Sequence, residues 1–137
     1  MSALFKKLNL GSHTRIHVLQ APASFEPELG LLTGIEVLRT LPAKSTTSFV
    51  LAFAITQLEL DAVSAQLCRA AQGDAVVWIA YPKGTSKRYK AEFNRDCGWP
   101  VLTAGGFDTV RQVAIDDDWS ALRFRRVEYI ASHTPKA

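Results

Sequence analysis

The chain has 137 residues, of which 47% are hydrophobic and 21% are charged, and its formal net charge is +3. This length and composition predict one globular domain and exclude a disordered chain. The positive excess is too small to predict nucleic-acid binding by itself.

The first half of the chain predicts three strands and one short helix. The segment RIHVL, Arg15–Leu19, is typical of a strand, and residues 23–32 predict a short, poorly formed helix. A second short strand is predicted at Ile35–Arg39. The run SFVLAFAI, Ser48–Ile55, is almost continuously apolar, which is typical of a central parallel strand covered on both faces.

A longer helix is predicted next. Thr56-Gln-Leu-Glu59 matches the capping box that opens a helix, and Gly73 is a suitable end point. Its apolar face would comprise Leu60, Val63, Leu67 and Ala71.

The remaining chain predicts a buried strand, a second helix and a late hairpin. The strand is Ala75–Tyr81, and the helix is Ser86–Cys97, with Tyr89, Phe93 and Cys97 on one face. A further short helical turn is predicted to run to Ala104. Strands at Thr109–Ile115 and Ala121–Val127 flank the Asp116–Asp118 turn and predict an antiparallel hairpin.

This element order predicts the α/β class: a small three-layer Rossmann-like domain whose mainly parallel sheet ends in a C-terminal antiparallel hairpin. The strand order stays open. We expect one domain over residues 1–137, with residues 1–10 as an N-terminal arm and 130–137 as a flexible tail.

The segment Tyr81–Lys90 is the most informative part of the chain. It follows a buried strand and leads into the predicted helix, a junction where open α/β sheets usually bind ligands. Backbone N–H groups there favour an anion, and Thr85 and Ser86 are suited to cap the helix or to donate to a phosphate. Cations are unfavourable at a helix start, and a bound anion would offset their energetic cost. A solvated, positively charged surface segment without a ligand is an equal alternative. The cations are Lys83, Lys87, Arg88 and Lys90.

The Asp116–Asp118 run opens the second notable segment. Three carboxylates suit a divalent metal or a general base, but a solvated turn ordered by one aspartate is favoured. Trp119 is either a lid over the sheet end or, as favoured, a core residue. Arg123 would share its face, and Arg95 is either a site residue or, as favoured, a surface charge.

Several chemistries lack their motifs. The three histidines show no metal-ligand spacing, so no metal site is predicted, and no GxSxG segment anchors a hydrolase triad. Gly84 belongs to no Walker A sequence. The first strand leads into Gln20-Ala-Pro-Ala-Ser24 instead of the GxGxxG turn that brings backbone close to a dinucleotide, so no cofactor is identified.

Two resemblances add to this. WIAYPKGTSK and VAIDDDWSALRFRR resemble segments of an uncharacterised family of short bacterial proteins, over about residues 10–126. The element order also resembles a trimmed S-adenosylmethionine-dependent methyltransferase fold, without the glycine-rich turn. The bacterial family implies characteristic positions at Pro82, Lys83, Ser86, Arg95, Asp96, Asp116, Trp119, Ser120 and Arg123.

The favoured hypothesis is a non-catalytic binding module that engages an anionic small molecule or an acidic protein surface through the loop Lys83–Lys90, which we call the basic loop. The alternative is a small methyltransferase-like enzyme with Asp116 as base and Lys83 or Arg123 stabilising developing charge. Nucleic-acid binding is disfavoured, since only Tyr89 is near to stack on bases. The predicted ligand-binding residues are Lys83, Thr85, Ser86, Lys87, Arg95, Asp116, Trp119, Ser120 and Arg123.

The cysteine spacing, the N-terminal residues and the length of the apolar runs bear on the cellular compartment. Cys68 and Cys97 have no CxxC partner and no regular spacing, which disfavours a secreted disulfide framework. The first ten residues do not resemble a signal peptide, and the longest strongly apolar run is too short to cross a membrane. We therefore expect a cytoplasmic protein with no membrane partner.

Overall fold

The computed structural model describes residues 3–130 of the chain. Within that range the chain forms four helices, six strands and two short 3-10 turns. In chain order they are α1 Ala3–Lys7, β1 Arg15–Leu19, a 3-10 turn Ala23–Phe25, α2 Glu26–Leu29, β2 Glu36–Leu38, β3 Thr47–Phe53, α3 Gln57–Ala70, β4 Ala71–Pro82, α4 Pro100–Ala104, β5 Phe107–Ala114, β6 Trp119–Arg126 and a 3-10 turn Val127–Tyr129.

The strands form a single sheet in the order β2-β1-β3-β4-β6-β5. The first four in this order are parallel, β6 is antiparallel to β4, and β5 is antiparallel to β6. The predicted hairpin therefore forms, but its second strand lies between β4 and the first. The order reverses between β1 and β3, because the chain leaves β1 toward one edge of the sheet and β3 toward the other.

Helices cover both faces of the sheet, so the domain has three layers and the predicted fold class is confirmed. We call the side covered by α3 and α4 the α3 face, and the side covered by α1 and α2 the α1 face. Leu67 and Leu102 pack with the α3-face core, whereas Phe5 and Leu29 pack with the α1-face core. Burial of apolar area on both sides is the main force holding the layers together.

The start of α3 forms as its capping box predicts. Thr56 Oγ1 accepts the Glu59 N–H at 3.1 Å, and Glu59 Oε1 accepts the Thr56 and Ile55 N–H groups at 3.0 Å each. These hydrogen bonds to the charged carboxylate lower the pKa of Glu59. The end of the helix differs from the prediction.

Gly73 does not end α3. The helix stops at Ala70, and β4 begins at once with Ala71, which pairs with Thr47. Gly73 lies instead in an irregularity of β4 and has φ +57°, a conformation that glycine adopts without strain. Asp74 follows it and binds Arg125 through both carboxylate oxygens, at 2.8 and 2.7 Å.

The helix predicted at Ser86–Cys97 is wrong, because this segment is an irregular loop. Tyr89 packs against Trp119 on the α1 face, whereas Phe93 packs against Tyr81 on the α3 face. One helix face cannot reach both sides of a sheet. Asn94 also favours a turn, since its side-chain oxygen accepts the backbone N–H groups of the residues two and three positions later.

The N-terminal segment is part of the core, which corrects the expectation of an arm over residues 1–10. Phe5, Leu8 and Leu10 are buried on the α1 face. The Trp78 indole Nε1 donates to the Leu8 carbonyl at 2.8 Å and so ties α1 to the centre of the sheet. Of the tail predicted at residues 130–137, everything after Ile130 lies outside the described residues.

A core substitution tests the packing of α1. We expect Phe5→Ala to lower the free energy of unfolding by about 3–5 kcal/mol, because a fully buried ring is lost and a cavity remains. Urea unfolding followed by tryptophan fluorescence measures the change. Lys6→Ala, at the exposed neighbouring position, is the control and should change stability by less than about 0.5 kcal/mol. Equal effects of the two substitutions would contradict the packing of α1.

Candidate functional site

Two clefts open where the parallel strands end. The first lies beyond β4 and is lined by the loop that follows this strand, so we call it the basic cleft. The second lies beyond β1 and β3, where the strand order reverses, and we call it the switch-point cleft. Open α/β sheets bind ligands at the carboxyl ends of their strands, above all at such a reversal point.

The basic cleft has a volume of about 640 Å³, which is the size of a small-molecule site. Lys83, Lys90 and Arg95 supply its cations. Glu92 also lines the cleft, but Glu92 Oε1 accepts the Gln57 N–H at 2.9 Å and is thus engaged at the start of α3.

Three side chains form a hydrogen-bonded group in the basic cleft. Gln112 Nε2 donates to the Tyr81 hydroxyl and to Ser120 Oγ, both at 3.2 Å. Tyr81 is only 5% exposed and Ser120 only 6%. Burial raises the pKa of Tyr81, and the nearby Arg95 charge partly opposes the increase. The cleft therefore combines neutral, desolvated hydroxyl groups with cations.

The basic loop is held by one carboxylate of the hairpin turn. Ser86 Oγ donates to Asp118 Oδ1 at 2.9 Å, and the Lys83 N–H donates to the Asp118 carbonyl at 2.8 Å. Arg88 Nε lies 3.8 Å from Asp118 Oδ2. Ser86 Oγ also accepts the N–H groups of Arg88 and Tyr89, so it orders the loop from within.

Asp118 was not singled out from the sequence. The three consecutive aspartates give no signal for which of them faces the loop, since that depends on how β6 pairs with β4.

Four of the nine predicted ligand-binding residues line the basic cleft and five do not. Strand alternation separates some of them, since neighbouring residues of β6 point to opposite faces of the sheet. The four that line the cleft are Lys83, Ser86, Arg95 and Ser120, and the other five are Thr85, Lys87, Asp116, Trp119 and Arg123.

Asp116 orders the hairpin turn, which is the role that the sequence favoured over metal binding or general-base catalysis. Its Oδ1 atom accepts the N–H groups of Asp118 at 2.8 Å and Trp119 at 2.9 Å. Within residues 3–130 no three histidine, cysteine, aspartate or glutamate side chains converge to hold a metal ion. In the same range, no helix has the length and apolar character needed to cross a membrane.

Trp119 is a core residue of the α1 face. It is 2% exposed, and its ring centroid lies 5.1 Å from those of Phe53 and Tyr89. Its buried Nε1 has no hydrogen-bond partner among the described residues. Arg123 lies on the same face as Trp119, further along β6. Because Ser120 and Tyr81 point to the opposite face, Arg123 is remote from the hydroxyl groups of the basic cleft.

The physical basis expected for anion binding needs correction. The sequence predicted that backbone N–H groups at a helix start would hold the anion. Because the chain after β4 is an irregular loop and the next helix, α4, begins only at Pro100, no helix dipole acts at the end of β4. Charge attraction by Lys83, Lys90 and Arg95 is what remains.

The switch-point cleft has a volume of about 530 Å³ and mostly apolar walls. Leu41 and Val63 form part of these walls, and Leu58 is 80% exposed although it belongs to the lining. Such exposure of a large apolar side chain in a concave site is typical of a surface that a ligand covers. The sequence did not predict this cleft, because Leu58 reads as an ordinary helix residue.

Polar groups stand at the strand ends of the switch-point cleft. Arg39, just after β2, binds both carboxylate oxygens of Glu26 at 2.8 and 2.7 Å, and these hydrogen bonds lower the pKa of Glu26. Gln20, just after β1, has φ +60°. Few residues other than glycine adopt this conformation, and it occurs often at functional sites.

Comparison with known proteins supports the fold. No protein-family model matches the chain, and no curated protein is similar to it in sequence. A SAM-dependent methyltransferase from Aquifex aeolicus has a similar structure, with a TM-score of 0.60 and 16% identity over 90% of this chain and 88% of the other.

Two further solved structures agree. The N-methyltransferase NodS from Bradyrhizobium japonicum, in complex with S-adenosyl-L-homocysteine, gives a TM-score of 0.56 at 10% identity over 90% of this chain and 84% of its own. A ribosomal protein L11 methylase from Lactobacillus delbrueckii subsp. bulgaricus gives 0.56 at 10% identity, over 89% and 76%. At such identities the likeness establishes the fold alone.

These comparisons confirm one of the two resemblances seen in the sequence. The trimmed methyltransferase-like fold is confirmed, whereas the resemblance to a family of short bacterial proteins is not.

A proteolysis experiment tests the hold of Asp118 on the basic loop. We expect Asp118→Ala to increase tryptic cleavage between Lys83 and Lys90 several-fold, because the loop loses its bond from Ser86 and then samples open states more often. Asp117→Ala, at the exposed neighbouring position, is the matched control and should be cleaved like the wild type. Mass spectrometry of the early fragments gives the rates. Equal rates for the two variants would contradict the role of Asp118.

The raised pKa of Tyr81 predicts an alkaline loss of stability. Between the ordinary tyrosine pKa and that of Tyr81, the unfolded chain has released a proton that the folded chain keeps. The free energy of unfolding must therefore fall as pH rises through this window. We expect Tyr81→Phe to make the fall shallower, as measured by urea unfolding at several alkaline pH values. The exposed tyrosine provides the control Tyr129→Phe, and a slope unchanged by Tyr81→Phe would contradict the expectation.

Proposed function

We propose that this protein is a small methyltransferase-like enzyme that holds the adenosyl part of S-adenosylmethionine in the switch-point cleft and the methyl acceptor in the basic cleft. The observation that carries the proposal is the apolar cleft at the point where the strand order reverses. Its occurrence in a fold shared with solved methyltransferases supports the enzyme over other ligand-binding roles.

The switch-point cleft suits a nucleoside. A volume of about 530 Å³ lies within the range of small-molecule sites, and a purine ring would cover the exposed Leu58 side chain. Arg39 has five N–H groups, of which Glu26 uses one on each terminal nitrogen, so it can still donate to ribose or purine acceptors. Gln20 can both donate and accept.

The missing glycine-rich turn does not prevent this fit. Sequence reasoning set a cofactor aside because Gln20-Ala-Pro-Ala-Ser24 contains no glycine. The backbone at Gln20 nevertheless has φ +60°, the conformation for which glycine is normally needed at such a turn. The side chain of Gln20 lines the cleft, so it would contact the ligand itself where other Rossmann-like proteins use backbone.

The basic cleft suits an anionic acceptor. S-adenosylmethionine, when bound, supplies an activated methyl group. Lys83, Lys90 and Arg95 would attract and orient an acceptor that carries phosphate or carboxylate. Tyrosine is neutral at neutral pH, and burial raises the pKa of Tyr81 further, so together with Ser120 it can hydrogen-bond the part of the acceptor that enters the cleft.

The two clefts are adjacent through the first turn of α3. Leu58 and Glu59 line the switch-point cleft. The residue before them, Gln57, donates its N–H to Glu92 of the basic cleft. One helical turn therefore lines the switch-point cleft and supports the loop of the basic cleft, an arrangement that suits two ligands meeting at the carboxyl edge of the sheet.

Ligand-induced stabilisation tests the proposal. We expect S-adenosylmethionine and S-adenosylhomocysteine to raise the midpoint of thermal unfolding by several degrees, since a ligand at a hundred times its Kd adds about 2.7 kcal/mol. Ala62→Trp should abolish the shift, because Ala62 lines the switch-point cleft and the indole fills it. Isothermal titration calorimetry gives the affinity directly.

Ala65→Trp is the matched control. Ala65 is also exposed on α3 but does not line the cleft, so this variant should respond to both compounds like the wild type. Absence of stabilisation of the wild type by either compound would overturn the proposal. A non-catalytic module that binds anions in the basic cleft would then be favoured, because the cations of that cleft do not depend on a cofactor.

A further inference from the structure

Two arginines, Arg111 and Arg123, lie close together on the α1 face of the hairpin, and neither of them lines the basic cleft or the switch-point cleft. Arg111 on β5 and Arg123 on β6 are paired directly across the two strands. Like charges at directly opposed positions of a sheet are destabilising. The Nη1 atoms of both arginines nevertheless lie 3.4 Å from the same atom, Oδ1 of Asn9. Two guanidinium groups thus converge on one point.

The positive charge of this pair is not compensated by the neighbouring acid. Asp74 binds Arg125 with both of its oxygens. Arg123 is half-buried, and its Nε atom is buried without a hydrogen-bond partner among residues 3–130. Burial lowers the pKa of Arg123, and repulsion from Arg125 and Arg111 lowers it further, against the opposing effect of Asp74.

The acceptor that the two arginines share is weak. A separation of 3.4 Å is beyond the usual range for an N–H···O bond, and the Asn9 amide oxygen carries no formal charge. Hydrogen bonds from arginine to a charged oxygen are shorter and roughly twice as strong as neutral ones. The planar guanidinium group also matches the geometry of a phosphate.

We propose that Arg111 and Arg123 together bind a phosphate group beside Asn9, from either inorganic phosphate or a phosphate monoester. The anion neutralises the opposed pair and gives the two Nη1 atoms a charged acceptor in place of the Asn9 amide oxygen. The site is independent of the proposed enzymatic function, since Asn9, Arg111 and Arg123 line neither cleft.

The tryptophans provide a local reporter. Trp78 pairs with Arg123 across β4 and β6, and its indole N–H donates to the carbonyl of Leu8, the residue before Asn9. Trp99 lies on the α3 face, where its indole N–H donates to Asn94, a residue of the basic cleft. The chain contains three tryptophans, so each indole signal reports on a different part of the molecule.

The experiment is a titration of 15N-labelled protein with inorganic phosphate and, in parallel, glycerol 1-phosphate, with sodium chloride keeping the ionic strength constant. We expect a saturable shift of the Trp78 indole resonance with at least one of the two compounds, and the one that binds more tightly identifies the form of phosphate that the site takes. Arg111→Gln should weaken binding at least about tenfold, because it removes one charge-assisted contact.

The control variant, Arg15→Gln, has the same net charge as Arg111→Gln. Arg15→Gln removes an exposed arginine on β1 that pairs with Glu36 on β2, and it should leave the Trp78 titration unchanged. Three results would overturn the inference. They are a Trp78 signal that does not shift saturably with either compound, an Arg111→Gln variant that binds like the wild type, and a saturable shift of Trp99 without one of Trp78.

Discussion

β3 and β4 carry apolar side chains on both sides, so each face of the sheet needs its own cover. From Phe49 to Ala54 and from Ala75 to Tyr81 the two strands are buried throughout. α3 and α4 cover one side, whereas α1 and α2 cover the other. A parallel pair also needs a crossover connection, which α3 supplies, and the next connection must leave from the carboxyl end of β4. The place of the basic loop follows from that geometry.

The same constraint creates the reversal of strand order. β1 and β2 extend the sheet toward one edge, and β3 and β4 extend it toward the other. The connections leaving β1 and β3 diverge there, and the space between them is the switch-point cleft. Because Leu58 lies in the first turn of α3, outside the core, its apolar side chain remains exposed without any cost to the packing of the core.

Much of the fold could be predicted from the sequence, because the signals were local. The run Phe49–Ile55 is recognisable as a buried strand by its apolar composition, and the capping box at Thr56 fixes the start of α3 through contacts within three residues. The loop after Ser86 could not be predicted, because Tyr89 and Phe93 recur at helical spacing but pack on opposite faces of the sheet. Burial of Phe5 likewise depends on a distant strand through the bond from Trp78 to Leu8.

The candidate site was predicted in part for the same reason. Lys83 and Ser86 follow a recognisable buried strand, and so they could be placed at its end. Asp118 and Gln112 act through strand pairing with residues about 30 positions away, which no local pattern encodes. Arg123 shares the face of Trp119, and alternation along β6 puts this face opposite that of Ser120, so Arg123 does not line the basic cleft.

The bond from Gln57 to Glu92 has a consequence for how two ligands would influence each other. The first turn of α3 is a wall of one cleft, and through this bond it supports the loop of the other. A ligand that displaces this turn on one side alters the site on the other side. Thermodynamic reciprocity then requires that each ligand change the affinity of its neighbour by the same factor. Short as it is, the domain would in this way link the occupancy of the two proposed sites.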